Sequence, residues 1–170
     1  MAETDSPDRS RTITWDDPSI PAKRAQGMAG IDFMTAMFEG EIPPPPILHL
    51  MRMSGISLEV GTVTFGCDPD ESMYNPIGTI HGGVICTLLD TVVGCAVHTT
   101  LPAGQAYTSL DLNVSYLRPV QAASGPLTAT GRVVRPGSKA AFAEGTIHDA
   151  SGKLVATATS TLLVFPVPTS

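Results

Sequence analysis

The chain has 170 residues, the usual length of one domain, and a formal net charge of −6. The acidic balance argues against nucleic-acid binding, which needs a basic face. No apolar stretch is long enough to cross a bilayer, and the acidic, polar start of the chain is unlike a secretion signal. We therefore expect a cytoplasmic protein that binds neither nucleic acid nor membrane.

The first 46 residues are predicted to form an N-terminal arm ahead of a main domain at 47–170. Residues 1 to about 26 mix charged residues, Pro, Ser and Thr without periodicity, so we expect most of them to be mobile or to lie on the surface. Apolar residues at helical spacing predict a short helix over 28–39, which Gly40 can end. The four prolines at 43–46 predict a stiff, extended linker.

Most of the chain from residue 47 onward has the pattern of β-strands, interrupted by one helix. Residues 55–67 alternate roughly between apolar and polar side chains. Residues 106–118 alternate clearly, which places Tyr116 on one face of the strand and Ser109 on the other. Asp111 shares the face of Ser109 and is expected to be solvated or to support it. Turn residues delimit three further strands, at about 126–134, 139–148 and 153–165.

The helix is predicted to run from about Gly82 to Thr99, and it is almost wholly apolar. A helix that is apolar on every face belongs in a core, so the sheet must curve around it. The predicted fold is α+β, with an antiparallel sheet of about five to six strands wrapped around one long central helix, plus a short N-terminal helix. A ferredoxin-like fold would need a second long helix after residue 100, and a β-barrel has no place for this one.

The most informative stretch is residues 75–90, which read NPIGTIHGGVICTLLD. Gly82 and Gly83 let a substrate or another backbone approach a helix N-terminus, where free N–H groups and the helix dipole favour negative charge. Asp90 lies two turns inside the helix, where a carboxylate is costly unless it is paired, neutralised or functional. These are the parts needed to stabilise an oxyanion beside a base. His81 is interpreted as orienting this loop and the substrate carbonyl, not as the base; the alternative is a hydrogen bond that only fixes the turn.

This stretch resembles the hotdog-fold acyl-CoA thioesterases, in particular the PaaI-like (phenylacetyl-CoA thioesterase) branch. That branch shows an Asn, then His-Gly-Gly, then a helix bearing an Asp. The resemblance continues into residues 108–119, TSLDLNVSYLRP, and covers roughly residues 50–165. It implies a hotdog fold and the hydrolysis of an acyl-CoA to free acid and CoA. No cofactor is expected, because CoA is part of the substrate.

The resemblance also implies a role for each site residue. The Gly82 N–H would polarise the thioester carbonyl, helped by the Asn75 amide. Asp90 would be the general base on water, or the nucleophile that forms a mixed anhydride; the sequence leaves both open. Ser109 would hold the water, and Thr108 is the alternative.

The phosphates of CoA need positive charge, yet no Lys or Arg occurs between Met53 and Leu117. The candidate cations are those that end the strand after the helix or bracket the late hairpin turn, Arg118, Arg132, Arg135 and Lys139. An ordinary solvated hairpin is the alternative interpretation.

The spacing of the motif predicts that the active site is shared between two chains. Gly82 and Asp90 are about 12 Å apart along one helix at ~1.5 Å per residue, so one thioester cannot contact both. Two antiparallel helices across a two-fold axis would bring each helix start beside the middle of the other, and the resemblance implies the same pairing. We expect an obligate homodimer, doubled into a homotetramer.

Two other functions compete with thioester hydrolysis. One is a non-catalytic acyl-CoA-binding hotdog module, which has no need of a buried base. The other is a hotdog enoyl-CoA hydratase, whose relatives pair a catalytic His with an acid in a different loop. A metal site is not expected, since the three cysteines and four histidines do not cluster.

Overall fold

The computed structural model describes residues 9–167. The acidic, polar start that is unlike a secretion signal falls in residues 1–8, which lie outside the described residues. The helices of the described chain are α1 Ser19–Ala25, α2 Gly30–Phe38, α3 Pro46–Leu50 and α4 Gly82–His98. Its strands are β1 Met53–Glu59, β2 Thr62–Cys67, β3 Gln105–Ser109, β4 Asn113–Tyr116, β5 Leu127–Arg135, β6 Ala140–His148 and β7 Leu154–Pro166. No helix within 9–167 is both long and apolar enough to cross a membrane.

The strands form one antiparallel sheet in the order β1-β2-β5-β6-β7-β3, with β4 also paired to β7. The sheet packs around α4, so the predicted α+β architecture is confirmed. The described residues contain seven strands because two predicted strands each divide. Residues 55–67 form a hairpin that turns at Gly61, whose φ of +79° favours glycine. Residues 106–118 divide into β3 and β4.

The sequence pattern predicts neither α1 nor α3. The run of prolines is extended only as far as Pro45, whose ψ is 147°. Pro46 is the first residue of α3, a position where the missing N–H of proline costs no helical hydrogen bond. The stiff linker therefore ends one residue early and starts a helix.

The core lies between α4 and the inner face of the sheet. Leu88 and Val92 on α4 are fully buried. A side chain at Gly131 of β5 would lie 2.1 Å from the Val92 carbonyl oxygen, so glycine is what lets this strand approach the helix. Met34 and Ile42 belong to the same core although they precede residue 47. The predicted domain boundary at 46/47 stays a prediction.

One side of α4 is not covered by its own chain. Gly83 and Asp90 are exposed and Thr87 is half-buried, and these positions follow one another at helical spacing. The expectation that every face of α4 is buried is therefore wrong for the single chain. The sheet wraps around the opposite side of the helix only, which leaves this stripe open.

A β-bulge separates β3 from β4. Ser109 is paired with Leu162 and Asn113 with Thr159, so four steps along β3–β4 lie opposite three steps along β7. The extra residue reverses the alternation of side chains. The prediction that Ser109 and Tyr116 lie on opposite faces is therefore wrong, and both side chains contact α4.

Candidate active site

The loop before α4 is held by its own side chains. The Asn75 Oδ1 accepts hydrogen bonds from the backbone N–H groups of Ile77 and Thr79, each at 3.1 Å. One N–H of the Asn75 amide is donated to Thr79 Oγ1 at 2.9 Å. His81 caps the helix, since its Nδ1 accepts the Gly83 N–H at 2.9 Å. The loop thus reaches the helix with a defined conformation.

The Gly82 N–H is the free donor at this helix start. None of the hydrogen bonds found within residues 9–167 uses it, whereas the neighbouring Gly83 N–H is taken by His81. The free N–H lies at the positive end of a 17-residue helix. A cavity of about 260 Å³ opens beside it, and Tyr116 and Arg118 are among its lining residues. A carbonyl oxygen entering this cavity would meet a donor suited to developing negative charge.

Tyr116 supports the first turn of α4, a contact that the sequence pattern does not predict. Its hydroxyl donates to the Gly82 carbonyl oxygen at 3.2 Å and lies 2.9 Å from Cys86 Sγ. The hydrogen bond with Cys86, together with burial, raises the pKa of Tyr116 to about 12. Strict alternation along 106–118 would place Tyr116 on the opposite face of the strand from Ser109. The contact between Tyr116 and α4 can therefore be inferred only when the bulge is known.

Asp90 and Ser109 come together across the gap between α4 and β3. The Ser109 hydroxyl donates to Asp90 Oδ1 at 2.8 Å, and both residues are exposed in the single chain. No hydrogen bond found within residues 9–167 uses the second carboxylate oxygen of Asp90, so that oxygen can accept one from a water molecule. Thr108 is on the other face of β3, pointing away from the helix. Of the two candidates, only Ser109 has the placement needed to hold a water beside Asp90.

The four candidate cations do not form one cluster in a single chain. Arg118 lies near the start of α4, where its backbone N–H donates to the Val155 carbonyl. Lys139 lies at the β5–β6 turn, where its carbonyl accepts the Val164 N–H at 2.9 Å. Val155 and Val164 are nine residues apart on β7, or about 30 Å at ~3.4 Å per residue. Arg132 and Arg135 belong to the same hairpin as Lys139, with Arg132 opposite Glu144 and further from the turn.

Two arginines, Arg11 and Arg52, support the acidic loop at 68–71 that leads to the site. Arg11 contacts Asp70 at 3.5 Å and the Leu50 carbonyl at 2.9 Å. Arg52 forms ion pairs with both Asp68 and Asp70. The acidic loop at 68–71 is the one feature of the sequence that indicates these ion pairs. The arginines that pair with it lie too far away in the chain to be identified from a local pattern. Within residues 9–167 no group of three His, Cys, Asp or Glu is placed to hold a metal ion.

A curved antiparallel sheet around a single helix is the hotdog architecture, and a free N–H at the helix start with a serine-bound carboxylate on α4 suits the class of hotdog thioesterases. Residues 77–156 match the family model of the thioesterase superfamily. Human acyl-coenzyme A thioesterase 13 is 31% identical over 108 residues, which are 63% of this chain and 76% of that protein.

Two further relatives agree with this assignment. A phenylacetic acid degradation-related protein from Ralstonia eutropha JMP134 has a solved structure with a TM-score of 0.70 and 32% identity, covering 76% of this chain and 97% of that one. A protein of Halobacterium salinarum that is named as an esterase is 49% identical over 69 residues, 39% of this chain and 44% of that protein, so the match spans less than half of that relative. The chain belongs to the thioesterase superfamily. It is a PaaI-like hotdog thioesterase, and hence a thioester hydrolase.

Proposed function

We propose that this thioesterase hydrolyses acyl-CoA to the free acid and CoA, with Asp90 as the residue that activates the chemistry. The observation that carries the proposal is the Asp90 carboxylate itself, which is held by Ser109 and open to solvent on a helix that is otherwise mostly apolar. The acyl-CoA class is supported by the human relative, which is named for that substrate.

The free donors define how the thioester would be oriented. Its carbonyl oxygen accepts hydrogen bonds from the Gly82 N–H and from one amide N–H of Asn75. The other amide N–H of Asn75 is already donated to Thr79. Asp90 removes a proton from a water bound by Ser109, and the water oxygen attacks the carbonyl carbon. The C–S bond then breaks, and CoA leaves as its thiol after taking up the proton. Direct attack by Asp90, through a mixed anhydride, uses the same contacts and is the competing mechanism.

The site is completed by a second chain. Gly82 and Asp90 of one α4 are about 12 Å apart at ~1.5 Å per residue, which is too far for one thioester. The open stripe of α4 lies beside β3 and β4, which form an edge of the sheet. Antiparallel pairing of two such surfaces would bring each helix start to the Asp90 of the other chain and create two equivalent sites. Pairing of two such dimers into a homotetramer stays a prediction.

The same pairing offers a way to bind the phosphates of CoA. Arg118 lines the cavity beside Gly82. The β5–β6 turn lies at the other end of α4. There the Val133 N–H donates to the Gly61 carbonyl, and the Gly61 N–H donates to the hydroxyl of Thr99, the residue after α4. Antiparallel helices bring that end of one chain toward the helix start of the other. The CoA phosphates would then contact Arg118 of one chain and the turn cations of its partner.

Arg135→Ala tests the contribution of this turn. It should raise KM with little change in kcat, because it removes an interaction made equally in the ground state and the transition state. Added salt should raise the KM of the parent in the same way. Arg24→Ala on α1 is the matched control. Equal KM values for the Arg135 variant and the parent, at low and high salt, would remove this turn from the substrate site.

Complementation tests the shared site, after the activity itself has been measured as thiol release from phenylacetyl-, benzoyl-, short-chain and long-chain acyl-CoA. Asp90→Asn and Asn75→Ala are expected to be inactive as separate homodimers. Refolded together in equal amounts, they should recover about a quarter of the parent activity, because half of the dimers are mixed and one of their two sites is intact. Acyl-CoA binding without hydrolysis by the parent would refute the proposed function. Mixed dimers without activity would refute the shared site.

A further inference from the structure

We infer that Asp111 is a positioning residue for the hydrolysis, because it holds the bulge that turns Ser109 and Tyr116 toward α4. The inference deepens the proposed function and rests on it. Asp111 is exposed, and within residues 9–167 its hydrogen bonds join it to Asn113, Ser160 and Thr161, none of which is proposed to act on the substrate. It acts through the register of the β3–β4 edge.

The Asp111 carboxylate replaces a backbone acceptor that the bulge removes. Leu110 lies opposite Thr161, and its N–H donates to the Thr161 carbonyl at 2.9 Å. In a regular antiparallel pair the Thr161 N–H would donate back to the Leu110 carbonyl. It donates instead to Asp111 Oδ1 at 3.1 Å. The side chain thus satisfies a strand donor that would otherwise lose its partner at the bulge.

A second hydrogen bond ties the backbone of Asp111 to the same strand. The Ser160 hydroxyl donates to the Asp111 carbonyl at 2.7 Å. Ser160 is only 3% exposed, which makes it one of the few buried polar residues of the described chain. A buried hydroxyl needs a partner, so Ser160 favours the bulged conformation over a regular strand. Two consecutive residues of β7 therefore hold Asp111 in place.

The consequence reaches both halves of the proposed site. Ser109 and Tyr116 are seven residues apart, and in an unbroken strand an odd separation places two side chains on opposite faces. With one extra residue between them, Ser109 reaches Asp90 and Tyr116 reaches the Gly82 carbonyl. A slip of one residue would turn one of these side chains away from α4.

Kinetics of two variants test the inference. Asp111→Ala removes the acceptor for Thr161 and should lower kcat roughly 10²-fold with little change in KM, the size of effect that small misplacements have. Asp111→Asn keeps an oxygen acceptor and should retain most of the parent kcat. The double variant, with both Asp111→Ala and Ser109→Ala, should lose less kcat than the product of the two single fold-losses. A fully multiplicative loss, or an Asp111→Asn as defective as Asp111→Ala, would overturn the positioning role.

Alkylation of Cys86 gives a readout that does not depend on activity. The Tyr116 hydroxyl lies 2.9 Å from this thiol and is its hydrogen-bond partner. Asp111→Ala should therefore raise the rate of Cys86 alkylation several-fold, measured by peptide mass spectrometry, and Asp111→Asn should not. A parent-like rate in folded Asp111→Ala would overturn the inference even if no thioester is hydrolysed. If Asp111→Ala does not fold, Ser160→Ala removes the other tether, and a parent rate in that variant would overturn the inference equally.

Discussion

Replacing Ser109 with alanine deletes one hydroxyl whose geometry is known. That hydroxyl donates to Asp90 Oδ1 at 2.8 Å. A hydrogen bond to a charged group contributes about 1.5–3 kcal/mol. At about 1.4 kcal/mol for each factor of ten, its loss from the transition state corresponds to a kcat/KM that is roughly 10- to 150-fold lower. The loss should fall mainly on kcat, because the hydroxyl is proposed to act on water and not on the bound CoA.

The neighbouring residue supplies the control. Thr108→Ala removes a hydroxyl one position away, on the face of β3 that points away from α4. Its kcat/KM should stay within roughly a factor of two of the parent, the usual effect of a surface substitution. Both positions are exposed, so the free energy of unfolding should change by no more than about 0.5 kcal/mol in either variant.

The assay follows thiol release from the best acyl-CoA substrate, with thermal unfolding of each variant as the check on folding. If Thr108→Ala were as slow as Ser109→Ala, the assignment of β3 faces would be wrong. Parent-like turnover in Ser109→Ala would show that the hydroxyl does not hold the attacking water.

Two further predictions concern stability. Gly30→Ala should destabilise the fold by about 1–3 kcal/mol or more, because its Cβ would lie 1.7 Å from the His98 carbonyl oxygen; Gly27→Ala, with nothing within 4 Å, should leave the free energy of unfolding unchanged or raise it by up to about 1 kcal/mol. Equal melting temperatures for these two variants would contradict the packing of α2 against the end of α4. Burial raises the pKa of Cys67 to about 11 and that of Cys95 to about 12, from an ordinary 9.0. The folded state therefore keeps these thiols protonated at a pH where the unfolded chain has lost the protons. The free energy of unfolding should be independent of these two groups below about pH 9 and should fall as the pH rises toward 11 and 12. Urea midpoints that stay constant across that range would contradict the burial of both thiols.

The features that were predictable from sequence are those that depend on near neighbours in the chain. The helix predicted from Gly82 to about Thr99 is observed as Gly82–His98, and the last three strands begin and end within about two residues of their predicted limits. Apolar periodicity and turn residues are local signals, so they survive without knowledge of the partner strands. The Asn, His-Gly-Gly and Asp motif was equally readable, because the helix start and its spacing to Asp90 are local too.

The facing of side chains on β3 and β4 was decided by the tertiary structure. Alternation along residues 106–118 is equally regular whether or not the strand is bulged, and the extra residue appears only in the pairing with β7. The choice of Ser109 over Thr108, the contact of Tyr116 with the helix start and the role of Asp111 all follow from that pairing. The separation of Arg118 from Lys139 likewise depends on their positions along β7.

The sequence by itself determined that one apolar helix opens with His-Gly-Gly and carries a single carboxylate inside an antiparallel α+β fold. Only the tertiary structure decided which faces of that helix the sheet covers, and it left Asp90 open beside Ser109. The physical reason is that burial and register are set by hydrogen bonds and contacts between residues distant in the chain, here 19 residues apart for Asp90 and Ser109 and 50 for Asp111 and Thr161. A local pattern carries no information about such contacts.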